Sequence, residues 1–343
     1  MRRAPEKIEV EEFIETVSQI INCLSIYRDR ITLDRGVIKN LQFSFGMDFQ
    51  NLLSQLSQNH NQSLAESAHF PNIRQTLIDQ LNKITRRHTI SFIASSSQHA
   101  SSFVNDWDAD VIENLFRSYS KLDKIDIILH GVYGFASSAE RIVNTIYRYC
   151  EDFRVIIPTQ AKSAATLIAM GASGVLMSES SEIGGIEPYL PDGTSAQSVI
   201  GAYDGLAKEI ELKREKNEAY DSQLASLAKI DPVLLQESRR QFHLTKEIAV
   251  SHLERKMVHG NSRLATAIAE KFLDRENIFP HGRLIGYQSA LSTGLKLEYI
   301  DRSDERWKLI WEIYIRAKTA LEHSRSAQLI EDVHNSFYPS KLS

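Results

Sequence analysis

Two hydrophobic patterns divide the chain near residue 86. Before this point, apolar residues recur at helical spacing between Phe13 and Leu24, in a sequence otherwise rich in Gln, Asn, Ser and charge. After it, short apolar runs that are typical of buried strands alternate with helical patterns. We predict strands at residues 89–94, 125–130, 154–157 and 174–177, with helices at 108–119, 137–149 and 163–170.

The alternation of strands and helices predicts an α/β core with a largely parallel sheet. Parallel strands need crossover helices, and these helices then cover the faces of the sheet. We expect residues 1–85 to form a helical accessory region, residues 86–300 to form the α/β domain, and residues 301–343 to form a C-terminal helical tail.

The tail contains a stripe of apolar residues at helical spacing, from Trp307 to Tyr314. Such a stripe predicts a helix with one buried face, in the core or at a subunit contact. Asp301 and Ser303 precede the stripe and are the candidate caps of this helix.

Composition narrows the classes of function. The 343 residues include 40 Lys and Arg against 44 Asp and Glu, which argues against a protein dedicated to nucleic acid or anionic membranes. The two cysteines, Cys23 and Cys150, are too few for a disulfide framework or a four-ligand zinc site. The longest apolar stretch, residues 166–177, is shorter than the roughly 20 residues that span a bilayer, and the N-terminus lacks a secretory signal pattern. We therefore expect a soluble cytoplasmic protein without a metal or cofactor.

Chemistry is expected in the loops after the second and third predicted strands, residues 130–138 and 158–166. Ligands of parallel sheets bind beyond the carboxyl ends of the strands, where such loops meet. In the second loop, Ser163 lies among alanines at a strand-to-helix turn, which leaves room around an exposed nucleophile. The helix dipole favours negative charge there, and the Ala164 N–H with an N–H from residues 131–134 would stabilise an oxyanion.

Simpler interpretations of the same residues stay open. A serine before a helix is a common N-cap, and in that role the Ser163 hydroxyl would accept a hydrogen bond from the helix backbone. Gly131 and Gly134 would serve only a tight turn, because their G-x-x-G spacing lacks the complete dinucleotide-binding or phosphate-binding patterns. A Rossmann-type nucleotide binder is therefore the least favoured class.

Four motifs in a fixed order resemble one protein family. They are LHGVYG at 129–134, AKSAATLIA at 161–169, IGGIEP at 183–188 and PHGRLI at 280–285. Together they resemble the serine dehydrogenase proteinase family, a branch of the Clp protease/crotonase superfamily that is related to signal peptide peptidase A. The resemblance covers about residues 86–300 and implies an α/β core of repeated ββα units, to which the helical N-terminal and C-terminal regions are additions.

The resemblance also implies serine hydrolysis of peptide bonds. Ser163 matches the nucleophile of the family, while Gly134 and Ala164 match the loop positions whose amides form the oxyanion hole. The implied substrate is an extended or flexible polypeptide, and the implied assembly is a homo-oligomer with active sites near subunit contacts. The terminal helical regions are candidates for contacts between subunits or with a protein partner.

Three positions depart from the pattern of the family. Tyr133 replaces the first of two glycines, Ala165 replaces the glycine after Ser-Ala, and Gly184-Gly185 stands where Gly-Pro is usual. Tyr133 is the most consequential, because a residue with a side chain has less access to the backbone conformation that turns its amide inward. We expect oxyanion stabilisation to be weakened or rearranged.

The general base is not evident from the motifs. A serine at its ordinary pKa needs a neighbouring His or Lys to accept its proton. No histidine lies between Ser163 and His243, so a Ser-His-Asp triad in the Clp order is not expected. Lys208 lies at a sequence distance used by lysine-dependent relatives, and His281 lies in the last motif and is competent near neutral pH. We rank His281 ahead of Lys208; the structural alternatives are a capping histidine and a solvated lysine.

Three further residues near these motifs have a structural and a functional interpretation. His130 is either a satisfied buried histidine or a hydrogen-bond partner of the site. Glu187 either closes the turn before Pro188 or acts as an acid, as in crotonase-type relatives. Lys162 is expected to point away from Ser163.

The leading hypothesis is a soluble, cytoplasmic serine peptidase that cleaves polypeptides through an acyl-enzyme on Ser163. One alternative is a binding or scaffold protein that has lost catalysis, for which Tyr133 and the absence of an evident base both argue. A second alternative is a crotonase-like enzyme in which the same amides polarise an acyl-CoA thioester and Glu187 handles protons.

Overall fold

Short apolar strands recur along the chain. The computed structural model describes residues 71–95, 102–117, 119, 121–190, 192–274 and 285–338. Within these ranges the strands are β1 His88–Ala94, β2 Ile125–His130, β3 Phe153–Ile157, β4 Gln160–Ala161, β5 Val175–Met177, β6 Glu182–Ile183, β7 Ile285–Gly286, β8 Leu297–Tyr299, β9 Gln328–Glu331 and β10 Ser336–Phe337.

Helices connect the strands, and a π-helical turn, Leu253–Met257, follows the seventh helix of the described ranges. The four predicted strands and three predicted helices are confirmed, with ends that differ by a few residues. The helices are α1 Pro71–Thr85, α2 Asp106–Phe116, α3 Ala136–Tyr149, α4 Ala164–Met170, α5 Ala196–Glu215, α6 Asp221–Leu227, α7 Pro232–His252, α8 Ser262–Leu273, α9 Tyr287–Leu291 and α10 Glu305–Ser324.

The main sheet has the strand order β10-β9-β1-β2-β3-β5-β8. β1, β2, β3, β5 and β8 pair with their neighbours in parallel. On the other side of β1, β9 pairs antiparallel with β1 and β10 pairs antiparallel with β9. The central strands are rich in isoleucine and valine and are buried, as expected for a parallel sheet that helices cover on both faces. Because β2 and β3 are parallel neighbours, the loops that follow them leave the same edge of the sheet side by side.

Each face of the main sheet packs against its own helical layer. Ile127 and Leu129 of β2 belong to the core that includes α2, α3 and α4, whereas Ile128 belongs to the core with α1 and α10. Neighbouring residues of a strand point to opposite faces, so one strand contributes to both cores. Burial of each side chain of this size stabilises the fold by about 1.5–3 kcal/mol. The buried sheet therefore holds the loops at its carboxyl edge in fixed positions.

Short segments beyond the main strands build a second, smaller sheet. β4 pairs with β6 in parallel and β6 pairs with β7 antiparallel. Isolated bridges continue this layer, because Gly131 pairs with Ala161 and Val104 pairs with Gly134. The first central strands of the main sheet are thus each followed by a short second strand or bridge and then by a helix. This repetition confirms the predicted core of ββα units.

The segments that precede β1 and follow β8 along the chain both contact the main sheet. α1 and α10 pack on one face, and β9 pairs with β1. Trp307, Ile310 and Tyr314 are buried there, whereas Trp311 of the same stripe is exposed, so the predicted buried face of the tail helix is confirmed without Trp311. The pattern between Phe13 and Leu24 lies outside the described residues. The domain boundaries after residues 85 and 300 stay predictions.

The cap of α10 differs from the predicted one. The Asp304 carboxylate accepts a hydrogen bond from the Arg306 N–H and begins the helix. Asp301 instead accepts hydrogen bonds from the backbone and the hydroxyl of Ser303, in the turn before the helix. The prediction that Asp301 or Ser303 caps α10 is therefore wrong, because their polar groups already bond to each other.

The helices α5 to α7 carry much exposed surface. α5 buries Ala196 alone among its described residues, whereas α7 buries residues mainly in its second half, including Ile248 and Ala249. α7 begins at Pro232 with the Asp231 side chain as its cap. Across the described ranges, we find no helix with the length and apolar character needed to cross a bilayer.

Candidate active site

Ser163 precedes α4 in a backbone conformation that is rare for a residue with a side chain. Its φ is 52° and its ψ is −121°. Such conformations cost about 1–3 kcal/mol and persist where the surrounding structure enforces them, often at functional sites. Ser163 occupies the N-cap position but its side chain makes no capping hydrogen bond, and the residue is only half-buried. Its hydroxyl is therefore not used in the way that the simple N-cap interpretation requires.

A network of hydrogen bonds enforces the Ser163 turn. The Ser163 N–H donates to the Gly185 carbonyl at 2.9 Å, and the Gly184 N–H donates to the Ala161 carbonyl at 2.8 Å. The buried Thr166 hydroxyl lies 2.9 Å from both the Ala161 and the Gly184 carbonyl oxygens. β4 and β6 are thus joined on either side of the turn, and the first turn of α4 is tied to both.

Close packing fixes the residues around this turn. A Cβ on Gly184 would lie 2.6 Å from the Lys162 Cγ, so the aliphatic chain of Lys162 packs directly on this glycine. A Cβ on Gly131 would lie 3.4 Å from the Ala165 Cβ. The loop after β2 therefore accommodates Ala165, the residue that stands in place of a glycine of the family, by placing a glycine against it.

Gly134 lies next to the start of α4. A Cβ at this position would come within 2.6 Å of the Cβ atoms of both Ala164 and Val104. The pairing with Val104 uses the Tyr133 carbonyl, at 3.0 Å, and the Phe135 N–H, at 3.1 Å. In a parallel pair the alternate backbone groups face the opposite side, so the Gly134 N–H points away from Val104.

Gly134 and Ala164, the two residues predicted to supply the oxyanion donors, therefore lie next to each other. Within the described ranges, neither the Gly134 N–H nor the Ala164 N–H donates to a protein acceptor. The Ala164 N–H belongs to the first turn of a helix, where such groups have no intrahelical partner and attract negative charge. Backbone N–H groups without a protein acceptor, one of them on the residue that follows Ser163, are donors of the kind that can stabilise an oxyanion.

Tyr133 occupies the glycine position of the family without a positive φ. Its ring stacks on Phe103, with 5.3 Å between ring centroids and 24° between ring planes. Its carbonyl is one of the two groups that pair with Val104. Gly134, the residue that follows Tyr133, therefore stays the predicted donor on this side of the site. Phe103 and Val104 are residues that the sequence reasoning missed.

His130 ends β2 on the sheet face that contacts α10. Its Nδ1 lies 2.9 Å from the Thr159 hydroxyl, and its ring lies 5.3 Å from the Tyr314 ring between centroids. Burial, with a smaller contribution from the Lys318 charge, lowers the pKa of His130 to about 4. His130 is therefore neutral at pH 7 and held in place by neighbours, which supports its structural interpretation.

Lys208 lies on the exposed surface of α5. Within the described residues, its side chain is not hydrogen-bonded to Ser163. His281 lies outside the described residues. The general base therefore stays a prediction for both residues.

Glu187 lies in a buried polar group after β6. Its carboxylate accepts hydrogen bonds from the Ser195 hydroxyl and, at 3.4 Å, from the Tyr189 hydroxyl. The Pro188 carbonyl that follows accepts from the Ala196 N–H at the start of α5. These contacts support a structural role for Glu187 in the turn that leads to α5.

His252, which the sequence did not identify as a candidate, is hydrogen-bonded to the backbone of α4. Its Nδ1 lies 2.9 Å from the Leu167 carbonyl oxygen and donates to it. Burial lowers the pKa of His252 to about 4, so this residue is also neutral at pH 7. Across the residues that the structure describes, no group of three or more His, Cys, Asp or Glu is arranged to hold a metal ion.

Residues 65–224 match the sequence model of a family described as ClpP-like SDH-type serine proteinase. The match includes β1 to β6 and the Ser163 turn. Two uncharacterized proteins of Methanocaldococcus jannaschii are also similar. One is 32% identical over 88 residues, covering 26% of this chain and 31% of the relative. The other is 29% identical over 101 residues, covering 29% and 34%. The chain thus spans about a third of the length of these curated relatives.

Two solved structures are similar to this one at low identity. One is a mutant of a membrane-bound stomatin-specific protease in complex with a substrate peptide, at 16% identity and a TM-score of 0.29, covering 62% of this chain and 93% of that chain. The other is a probable enoyl-CoA hydratase/isomerase from Mycobacterium abscessus, at 11% identity and a TM-score of 0.31, covering 68% and 75%. Such TM-scores carry no functional conclusion. The repeated ββα units and the family match define the fold as ClpP-like.

Proposed function

We propose that this chain, whose residues 65–224 belong to the ClpP-like SDH-type serine proteinase family, cleaves polypeptides through an acyl-enzyme on Ser163. The observation that carries the proposal is the strained, uncapped Ser163 turn. Strain of this kind clusters at functional sites, and the lack of a protein acceptor for the Gly134 and Ala164 N–H groups within the described residues supports the same interpretation. Gly134 and Ala164 are the proposed donors of the oxyanion hole.

The proposed reaction has two steps. The Ser163 Oγ attacks the carbonyl carbon of the scissile peptide, and its proton passes to a general base. The oxygen of the tetrahedral intermediate accepts hydrogen bonds from the Gly134 and Ala164 N–H groups. The C–N bond then breaks as the leaving amine takes the proton. Water hydrolyses the resulting ester by the same route, releasing the carboxyl product and restoring the serine.

His281 is the proposed general base, and Lys208 is the second candidate. Histidine is competent as a proton acceptor near neutral pH. Lys208 lies on the exposed surface of α5 and, within the described residues, is not hydrogen-bonded to Ser163. We therefore rank His281 ahead of Lys208. A base from a neighbouring subunit is the further possibility if the protein is a homo-oligomer, as we propose.

The proposed setting is a soluble peptidase in the cytoplasm. The near balance of 40 basic and 44 acidic residues argues against nucleic-acid substrates. Cys150 is a buried free thiol, which suits a reducing compartment. The terminal helical regions are the proposed sites of contact between subunits or with a partner protein.

The test is hydrolysis of denatured casein and of a fluorogenic peptide library by the full chain. Ser163→Ala should lower turnover by about 10⁴-fold or more, as loss of a serine nucleophile does. Ser262→Ala is the matched control, because Ser262 is also a serine at the start of a helix, α8, but is exposed and does not precede a strained turn. Equal hydrolysis by Ser163→Ala and the wild type would exclude Ser163 as the nucleophile.

A catalytically inactive binding protein is the second candidate. It is favoured by one observation: within the described ranges no histidine or lysine side chain is hydrogen-bonded to Ser163. Wild-type protein that binds unfolded polypeptide but leaves the whole library intact would support this candidate. Turnover that depends on Ser163 would exclude it.

A further inference from the structure

An aromatic group lies on the outer side of the loop that carries Gly134. The Phe103 ring stacks on Tyr133 and also contacts the Phe135 ring, 6.2 Å away between centroids. Tyr133 and Phe135 flank Gly134, so one ring from the neighbouring segment contacts the residues on both sides of the proposed oxyanion donor. These contacts add to the two backbone hydrogen bonds that Val104 makes with the same loop.

The segment that carries Phe103 is itself fixed to the main sheet. The Phe103 carbonyl accepts hydrogen bonds from the Gln328 side chain at 2.8 Å and from the Asn105 side chain at 2.9 Å. Gln328 is fully buried in β9 and also donates to the Asp108 carboxylate at 3.1 Å. Asp108 in turn accepts from the Asn105 N–H at 2.8 Å. Phe103 is therefore a firm support for the Tyr133 ring.

We propose that Tyr133 is a positioning residue for the oxyanion hole, holding the Gly134 N–H toward Ser163 through its stack on Phe103. A glycine, which is usual at this position in the family, reaches the required backbone conformation without support. In this chain the loop is held by two contacts of Tyr133: its ring stacks on Phe103, and its carbonyl accepts a hydrogen bond from the Val104 N–H. This inference rests on the proposed function, because positioning of the amide affects catalysis only if Ser163 is the nucleophile.

Three variants separate the ring from other properties of Tyr133. Tyr133→Phe keeps the stacked ring and should retain kcat within about twofold. Tyr133→Leu keeps an apolar side chain without the stack, and should lower kcat by about tenfold to hundredfold, less than the loss of a whole donor. Trp107→Leu is the matched control, because Trp107 is an exposed aromatic residue on the nearby α2. It should leave kcat unchanged.

The kinetic signature distinguishes positioning from substrate binding. An interaction that acts only in the transition state changes kcat and kcat/KM equally and leaves KM unchanged. The affinity for a peptide boronate, which forms a tetrahedral adduct with the serine, should fall by the same factor as kcat in Tyr133→Leu. The affinity for a product peptide should stay constant.

Three outcomes would overturn the inference: wild-type kcat in Tyr133→Leu, a rise in KM without loss of kcat, or a higher kcat in Tyr133→Gly. If Tyr133→Leu does not fold, Phe103→Leu tests the other ring of the stack and should show the same fall in kcat at constant KM. Full activity of Ser163→Ala would instead refute the proposed function. Activity that depends on Ser163, together with an unaffected Tyr133→Leu, would refute only the positioning role.

Discussion

Replacing Gly134 with alanine tests the proposed oxyanion hole at its most crowded point. The new Cβ would lie 2.6 Å from the Ala164 Cβ, 2.6 Å from the Val104 Cβ and 2.9 Å from the Val104 carbonyl oxygen. Real contacts of such atoms are about 3.4 Å or longer. The loop must therefore move outward by several tenths of an ångström or more, because α4 is fully buried and cannot yield.

The structure indicates the size of the effect. Moving the Gly134 N–H away from the developing oxyanion removes one donor, which costs about 10²–10³ in kcat. Overpacking between buried groups costs about 1–3 kcal/mol of unfolding free energy. In a chain of 343 residues, an unfolding entropy of about 2.1 cal/mol/K per residue means that each kcal/mol lowers the Tm by about 1–2 °C. We therefore expect a large loss of kcat with a modest loss of stability.

The assay is peptide hydrolysis together with thermal unfolding of the same samples. Gly205→Ala is the matched control, because Gly205 lies in the exposed part of α5 and a Cβ there meets no atom within 4 Å. It should stabilise the chain by up to about 1 kcal/mol through helix propensity and leave kcat unchanged. Wild-type kcat in a folded Gly134→Ala variant would refute the assignment of this amide, whatever its Tm.

Three other changes give independent tests. Thr166→Val removes a buried hydroxyl that bridges two carbonyls at the Ser163 turn and should lower the unfolding free energy by about 1–3 kcal/mol in urea titrations; unchanged stability would show that the bridge is unimportant. Burial raises the pKa of Asp108 from 3.8 to about 7, although hydrogen bonds from Asn105 and Gln328 act to lower this pKa, so between these pH values the folded chain holds a proton that the unfolded chain has lost. The stability that Asp108 contributes should therefore fall as pH rises from about 4 to 7, by up to about 4 kcal/mol. Comparison of the pH dependence of unfolding in wild type and Asp108→Asn measures it, and parallel curves would contradict it. His281→Gln should lower kcat by about 10²–10⁴, whereas Lys208→Met and its control Lys213→Met should not; the reverse order would make Lys208 the base.

The central units of the fold could be predicted because their signals are local. The apolar runs of β1, β2 and β3 and the helical patterns between them identify the parallel sheet without knowledge of distant contacts. β9 could not be recognised in this way, because residues 328–331 follow directly on a helical pattern and become a strand only by pairing with β1. β4, β6 and β7 have two residues each, too few for any periodicity.

The parts of the candidate site that lie in local motifs could be predicted from the sequence. Ser163 and the loop of Gly134 follow neighbouring parallel strands, so their proximity is a consequence of the topology. Two features depend on distant residues and were missed. One is the support of Tyr133 by Phe103, and the other is the anchor that Gln328 of β9 provides. A general base has the same non-local character, which is why sequence spacing ranks His281 and Lys208 without deciding between them.

The most direct measurement is peptide mapping by mass spectrometry after the full chain reacts with a fluorophosphonate. This probe forms a covalent bond with activated serines, whereas an ordinary surface or capping serine reacts slowly. We expect one major adduct, on the peptide that contains Ser163, and no adduct at this level in Ser163→Ala. Adducts of equal yield in the wild type and the Ser163→Ala variant, or a major adduct on another serine, would contradict it.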